Sequence, residues 1–152
     1  MKILIVDDTS MMRFVIREIL VNAAEVESGD IFDAASGREA IRRYKLLKPD
    51  LVFLDIRMPD LTGIQVLKEI INYDPSAKVF MITASGSRRD VIDCVKSGAL
   101  GYIVKPPSAD KIKEAVRSLY VKVVAAINFD DFDDSDDDLD DSDYDDSDEL
   151  DT

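Results

Sequence analysis

The sequence predicts an α/β domain in which a parallel sheet is covered by helices on both faces. Short apolar runs alternate with segments of helical apolar spacing five times, and parallel neighbouring strands require crossover helices of this kind. The central run Leu51–Leu54 has no polar face, which is typical of a strand buried on both sides in the middle of a sheet. These two observations favour a doubly wound sheet.

The five predicted strands are short apolar runs bounded by turn residues or helix caps. In chain order they are Lys2–Val6, Asp30–Ala34, Leu51–Leu54, Lys78–Thr83 and Tyr102–Val104. The second run is the weakest of the five as a strand signal. The third ends abruptly at Asp55, which is followed by a turn containing Pro59.

Each strand is followed by apolar residues at helical spacing, preceded by a residue type that caps helix N-termini. Ser36 with Glu39 and Thr62 with Gln65 have the spacing of capping boxes. The other predicted caps are Thr9 or Ser10, Ser87 and Ser108. The apolar stripe of the last helix is predicted to contain Ile112, Val116, Leu119, Val123 and Ile127.

Five such units fit the flavodoxin-like (βα)5 fold, with strand order 2-1-3-4-5. This order places the first and third strands side by side. Ligands bind outside the carboxyl ends of strands in open α/β sheets. Asp7, Asp8 and Asp55 are therefore predicted to converge on one edge of the sheet.

The acidic residues are unevenly distributed along the 152-residue chain, whose formal net charge is −13. Residues 1–129 contain all 19 basic and 17 acidic side chains, whereas residues 130–152 contain 15 acidic and no basic ones. A near-neutral body and an acidic appendage follow from this split. We predict a domain over residues 1–128 and a disordered acidic tail over residues 129–152.

The tail repeats a seven-residue pattern of aspartates and serine with one apolar residue per copy. Phe132, Leu139 and Tyr144 are hypothesised to anchor an acidic recognition segment. This segment would dock on a basic partner or on the domain's own edge at Arg88–Arg89 and Lys111–Lys113. The alternative is a solvated tail that only promotes solubility.

Several classes of protein are disfavoured by composition. The single cysteine, Cys94, and the absence of histidine exclude an internal disulfide and the usual structural zinc sites, which leaves oxygen ligands for a metal. The apolar N-terminal run is too short for a signal sequence and nothing in the sequence spans a membrane, so we expect a cytoplasmic protein. Direct nucleic-acid binding is not expected, because the tail repels phosphates.

The predicted edge of the sheet has the chemistry of a phosphoryl-transfer site. Three carboxylates repel one another unless they share a cation, and hard oxygen ligands suit Mg²⁺. Thr83 and Lys105 follow the fourth and fifth strands, and add a hydroxyl and an ammonium that can contact a phosphoryl group while a carboxylate accepts it. Taken singly, each of these residues also fits a cap, a turn or a solvated strand end.

Taken together, and in their order along the chain, these motifs resemble those of a response-regulator receiver domain, over residues 1 to about 124. The resemblance is strongest to small stand-alone chemotaxis-type regulators. The matching residues are Asp7–Asp8, Asp55, Met58–Pro59, Gly63, Thr83–Ala84 and Lys105–Pro106. The set of five loops is specific, whereas any single loop is weak evidence.

The resemblance implies roles for individual residues. Asp55 would accept a phosphoryl group from a phosphohistidine of a partner histidine kinase. Asp8, Asp55 and the backbone carbonyl of Arg57 would bind Mg²⁺, with Asp7 assisting. The resemblance also admits a cis peptide bond between Lys105 and Pro106.

The same resemblance implies a conformational switch. Thr83 and Lys105 would contact the phosphoryl group, Tyr102 would turn inward, and the surface of helix 4, strand 5 and helix 5 would change. From the residues alone, Tyr102 fits a half-buried packing position equally well. Arg57 and Ser85 stand where the family controls the access of water to the acyl phosphate.

The sequence therefore predicts a phosphorylated signalling protein and not an enzyme acting on other substrates. It would control a downstream protein, with chemotaxis as the process that the resemblance suggests. The alternative is a constitutive adaptor that acts through its acidic tail without phosphorylation. A weak homodimer through the last helix is left open.

Overall fold

The computed structural model describes residues 1–84 and 86–119, and this part contains five strands and five α-helices in strict alternation. The strands are β1 Ile3–Val6, β2 Ile31–Ala34, β3 Leu51–Asp55, β4 Val79–Thr83 and β5 Gly101–Val104. The helices are α1 Ser10–Asn22, α2 Gly37–Leu47, α3 Gly63–Tyr73, α4 Arg88–Lys96 and α5 Ala109–Arg117, and a short 3-10 helix, Ser28–Asp30, precedes β2.

The sheet is parallel throughout, with the order β2-β1-β3-β4-β5. The predicted flavodoxin-like fold is thereby confirmed. The strand bounds shift by about one residue from those predicted. Asp30, for example, belongs to the 3-10 helix instead of β2.

The two faces of the sheet are covered by different helices. Side chains alternate along a strand, so Leu4 and Leu54 pack with α2, α3 and α4, whereas Ile5 and Phe53 pack with α1 and α5. Both faces of β1 and β3 are therefore buried, as the continuous apolar runs of the sequence predict.

Three of the predicted helix caps form as expected. Thr62 and Gln65 make a complete capping box at the start of α3. Ser87 and Ser108 accept hydrogen bonds from backbone N–H groups in the first turns of α4 and α5. The helix boundaries nearest the carboxyl edge of the sheet are thus specified locally.

The N-terminal caps of the first two helices differ from the prediction. Thr9 occupies the N-cap position of α1 but makes no capping bond; its side chain is directed to Asp7 instead, and its hydroxyl donates to Asp7 Oδ1 at 2.8 Å. Ser36 caps α2, but the Glu39 carboxylate accepts from the N–H of Ala35 at 2.8 Å, so the second half of the predicted box is displaced by one residue.

Some predictions fall on residues that the structure does not describe. These are the last residues of the terminal apolar stripe, Val123 and Ile127, the acidic tail of residues 129–152, and Ser85. Within residues 1–84 and 86–119, no helix has the length and apolar character needed to cross a bilayer.

Gly63 begins α3 directly against the end of β3. Its N–H donates to the carbonyl of Ile56 at 2.6 Å. A Cβ atom at this position would lie 2.7 Å from Ile56 Cα and would overlap the carbonyl oxygen of Asp55. Because these contacts are with backbone atoms, no side-chain movement relieves them, and only glycine allows this approach.

We expect Gly63→Ala to lower the free energy of unfolding by about 2–3 kcal/mol through overpacking. Chemical denaturation followed by circular dichroism measures this change. Gly29→Ala is the matched control, since nothing lies within 4 Å of a Cβ there, and should change the value by less than about 0.5 kcal/mol. Equal losses for the two variants would contradict the steric argument.

Candidate functional site

Three carboxylates meet at the carboxyl edge of the sheet. Asp7 and Asp8 follow β1, Asp55 ends β3, and these two strands are paired so that Val6 lies opposite Leu54. One carboxylate oxygen from each acid lies within 4.8 Å of the others. Asp7 and Asp55 are 1% and 4% exposed, whereas Asp8 is exposed to solvent.

The loop after β1 holds Asp7 in place. Its Oδ1 accepts from the N–H of Thr9 at 2.9 Å and from the Thr9 hydroxyl at 2.8 Å. Its backbone N–H donates to Ala34 at the end of β2, and its carbonyl accepts from Arg13 Nη1 at 2.7 Å. Thr9 therefore fixes the carboxylate, while β2 and Arg13 of α1 fix the backbone of Asp7.

Lys105 connects the two buried acids. Its Nζ lies 3.0 Å from Asp7 Oδ2 and 3.2 Å from Asp55 Oδ1. Its backbone N–H donates to the carbonyl of Thr83 at 2.7 Å, and the peptide bond to Pro106 is cis. Burial disfavours the ammonium, but the hydrogen bond to Asp7 and the charges of both acids raise the pKa of Lys105 above its usual value.

The pKa of Asp55 is raised, mainly because burial disfavours the charged carboxylate and secondly because of the negative charge of Asp7. Lys105 and the backbone N–H of Arg57 lower this pKa, but do not cancel the increase. One ammonium thus faces three carboxylates. The edge of the sheet has an excess of negative charge that a further cation would relieve.

The residues fit a magnesium ion. All the side-chain donors are carboxylate oxygens, which Mg²⁺ prefers, and the exposure of Asp8 leaves room for the water ligands that Mg²⁺ retains. Receiver domains bind Mg²⁺ at an acidic pocket, and Asp7, Asp8 and Asp55 form such a cluster here. The predicted ligand role of the Arg57 carbonyl, two residues beyond Asp55, stays a prediction.

The two predicted switch residues lie on neighbouring strands. Thr83 ends β4, is 2% exposed and pairs with Val104 of β5. Tyr102 lies two residues before Val104, opposite Met81, and packs half-buried against the core between the sheet and α2–α4. Tyr102 is thus a half-buried packing residue of this core, and its switching role stays a prediction.

An ion-pair network beside the site was not predicted from the sequence. Arg13 and Arg17 contact the carboxylate of Asp33 on β2 at 3.1 Å and 2.7 Å. Arg13 also holds the carbonyl of Asp7. The sequence features that could have predicted this network are two arginines spaced i, i+4 in the first helix and an aspartate in the second strand.

The fold and the acidic carboxyl edge of the sheet together define a receiver-type α/β domain. The family model described as response regulator receiver domain matches residues 3–117. The chain belongs to the response regulator receiver domain family, as the motifs predicted. Proteins of this family act in signalling and are not ordinary enzymes.

The chain is similar to named members of this family. It is 41% identical to the chemotaxis protein CheY of Thermotoga maritima over 118 residues, covering 78% of this chain and 96% of that protein. It is 45% identical to the chemotaxis protein CheY of Bacillus subtilis over 116 residues, covering 76% of this chain and 93% of that protein. A chain of the CheX–CheY–BeF3–Mg²⁺ complex from Borrelia burgdorferi superposes with a TM-score of 0.71 at 38% identity, covering 79% of this chain and 89% of that one.

We expect Asp55→Asn to raise the thermal midpoint at neutral pH in buffer containing a chelator. The folded-state pKa of Asp55 is raised, so burying its charged form opposes folding when the pH is above that pKa. This cost disappears as the pH falls through the folded-state pKa, and the advantage of asparagine should shrink toward about pH 4. Scanning calorimetry at several pH values measures the difference.

Asp93→Asn, on the exposed face of α4, is the control for loss of one negative charge. It should leave the midpoint nearly unchanged at every pH. An Asp55→Asn protein that is less stable than the unsubstituted chain at neutral pH would contradict this account of the site.

Proposed function

We propose that this chain is a single-domain response regulator that accepts a phosphoryl group on Asp55 from a phosphohistidine of a partner histidine kinase. The observation that supports this most directly is the position of Lys105, whose ammonium contacts Asp7 and Asp55 at the carboxyl edge of the sheet. A carboxylate nucleophile with a cation beside it is the arrangement that phosphoryl transfer needs.

In the proposed step, a carboxylate oxygen of Asp55 attacks the phosphorus of the phosphohistidine. The P–O bond forms, the P–N bond breaks, and the imidazole nitrogen keeps the electron pair. This chain contains no histidine, so the donor belongs to another protein. The product is an acyl phosphate on Asp55.

The other residues of the edge would stabilise this product. Asp7, Asp8 and Asp55 would hold Mg²⁺, which when bound supplies positive charge against the phosphoryl oxygens. Lys105 would exchange its contact with Asp55 Oδ1 for one with a phosphoryl oxygen. The new hydrogen bond would again be charge-assisted, and the phosphoryl group brings additional negative charge to the ammonium.

The conformational response would follow from the same charges. The Thr83 hydroxyl would donate to a phosphoryl oxygen and draw the end of β4 toward the site. Tyr102, two residues before the partner of Thr83 in the sheet, would turn into the space that this movement leaves. The altered surface would comprise α4, β5 and α5, and a downstream protein would read it.

The named relatives support the cellular role. The two curated relatives are called chemotaxis proteins, and the Borrelia burgdorferi structure holds CheY together with CheX, BeF3 and Mg²⁺. We propose chemotaxis as the process, with a histidine kinase upstream and a protein target downstream. The cytoplasmic location and a weak homodimer through α5 belong to the same proposal.

Incubation with a small acyl-phosphate donor should add one phosphoryl group per chain, as measured by intact mass spectrometry. The addition should require Mg²⁺ and should be absent from Asp55→Asn, because both the cation and the nucleophile are needed. Addition that needs neither would overturn the mechanism. A folded chain that gains no phosphoryl group would favour the adaptor that acts through its tail.

Lys105→Gln should slow this phosphorylation by about 10²-fold, since it removes the ammonium that faces the developing negative charge. Lys78→Gln is the matched control, because this exposed lysine precedes β4 at the opposite edge of the sheet. Rates come from the time course of the mass shift, with thermal midpoints checking that both variants are folded. Equal rates for the two variants would remove Lys105 from the proposed chemistry.

A further inference from the structure

A basic groove with an apolar floor lies between α2 and α3, on the face of the sheet opposite α1 and α5. Its volume is about 760 Å³. Half-buried Ile41 and Leu61 provide apolar surface, and Glu69 is the acidic residue among those that line it. The cations around the groove are Arg38, Arg42, Lys45 and Lys68.

The positive charge of this groove is only partly neutralised within the described part of the chain. Arg38 is 76% exposed, and its Nε lies 4.0 Å from an Asp60 oxygen. That carboxylate already accepts the backbone N–H groups of Gly37 and Arg38 at 2.9 Å each, which together lower the pKa of Asp60 to about 2. Among residues 1–84 and 86–119, no salt bridge holds Arg42 or Lys68.

The described chain ends at a cavity that also reaches the C-terminal end of α2. Leu119, the last described residue, borders the same cavity as Tyr44 and Lys48 at the C-terminal end of α2. Lys45, which lines the groove, lies one helical turn before Lys48. Leu119 itself packs on the α1 and α5 side, so the remaining residues start at the edge of the sheet where this cavity reaches the C-terminal end of α2.

The sequence that follows is complementary to the groove. Residues 130–152 carry 15 acidic and no basic side chains, with single apolar residues spaced between runs of aspartate. Phe132 is 13 residues beyond Leu119, a separation that can span up to roughly 45 Å. The groove is thus within reach, and tethering would give a local concentration of the order of millimolar.

The length of the groove can be compared with the spacing of the apolar residues in the repeat. The helices α2 and α3 have 11 residues each, which corresponds to a groove about 16 Å long. Phe132 and Leu139 are seven residues apart, or up to about 23 Å in an extended chain. Phe132 and Leu139 therefore cannot occupy the groove together in extended form, and would compete for it.

We propose that the acidic segment 130–152 binds in the groove between α2 and α3 of its own chain. One apolar residue contacts Ile41 and Leu61 while the flanking aspartates face the arginine and lysine side chains. This surface differs from the Arg88–Arg89 and Lys111–Lys113 edge, and the inference does not depend on phosphorylation of Asp55.

The test uses paramagnetic relaxation enhancement in the full-length chain. A nitroxide is attached to Ser135→Cys, and Cys94 does not interfere, because it is buried and burial raises the pKa of its thiol to about 12. Broadening of amide signals should concentrate on α2 and α3 at about 0.01 M salt. It should be lost at about 1 M, where the Debye length falls from about 30 Å to about 3 Å.

The double variant Arg42→Glu/Lys68→Glu should abolish the broadening on α2 and α3. Arg88→Glu/Arg89→Glu changes the net charge equally and should leave it intact. Because reversals on the domain can perturb folding, a second variant replaces Phe132, Leu139, Tyr144 and Leu150 with serine in the segment itself, and should weaken the broadening without changing the thermal midpoint.

Three outcomes would overturn the proposal. Broadening confined to α4 and α5 would assign the segment to the other basic edge. Uniform weak broadening, unchanged by Arg42→Glu/Lys68→Glu, would show that the segment does not bind the groove. The third outcome comes from mixing spin-labelled chains with unlabelled, isotope-enriched chains. If the signals of the isotope-enriched chains broaden in this mixture, and no broadening occurs within a single labelled chain, the segment binds the groove of another copy instead of its own.

Discussion

The contact between the Lys105 ammonium and the carboxylates of Asp7 and Asp55 is the interaction on which the site depends. The strand order brings these acids together, and their mutual repulsion would be costly without a cation between them. One ammonium does not balance three carboxylates, and the pKa of Asp55 is raised mainly by burial and secondly by the negative charge of Asp7. The same imbalance prepares the edge to take up a divalent ion and, in the proposed function, a phosphoryl group.

Most of this arrangement could be predicted because it depends on local patterns. The all-apolar run Leu51–Leu54 indicated a central strand, and the alternation of strands and helices restricted the order in the sheet to very few possibilities. Once that order was assumed, Asp7, Asp8 and Asp55 had to share an edge. Beyond this order, no further long-range contact had to be assumed for these acids to be placed.

The details that escaped prediction depend on competition between neighbouring groups. The Thr9 side chain could point to the first turn of α1 and accept a capping bond, or point to Asp7 and donate to its buried carboxylate, and it does the second. Glu39 likewise pairs with Ala35 instead of Ser36. The attachment of Arg13 and Arg17 to Asp33 depends on the packing of α1 beside β2, which no periodicity in the sequence encodes.

The absence of a side chain at Gly63 has a mechanical consequence. Helix α3 abuts the backbone of Asp55 and Ile56 without any intervening side chain, so the helix and the strand end behave as one stiff piece. The same helix forms one wall of the basic groove. A displacement of the Asp55 backbone, whatever produces it, would therefore move α3 and change the width of that groove.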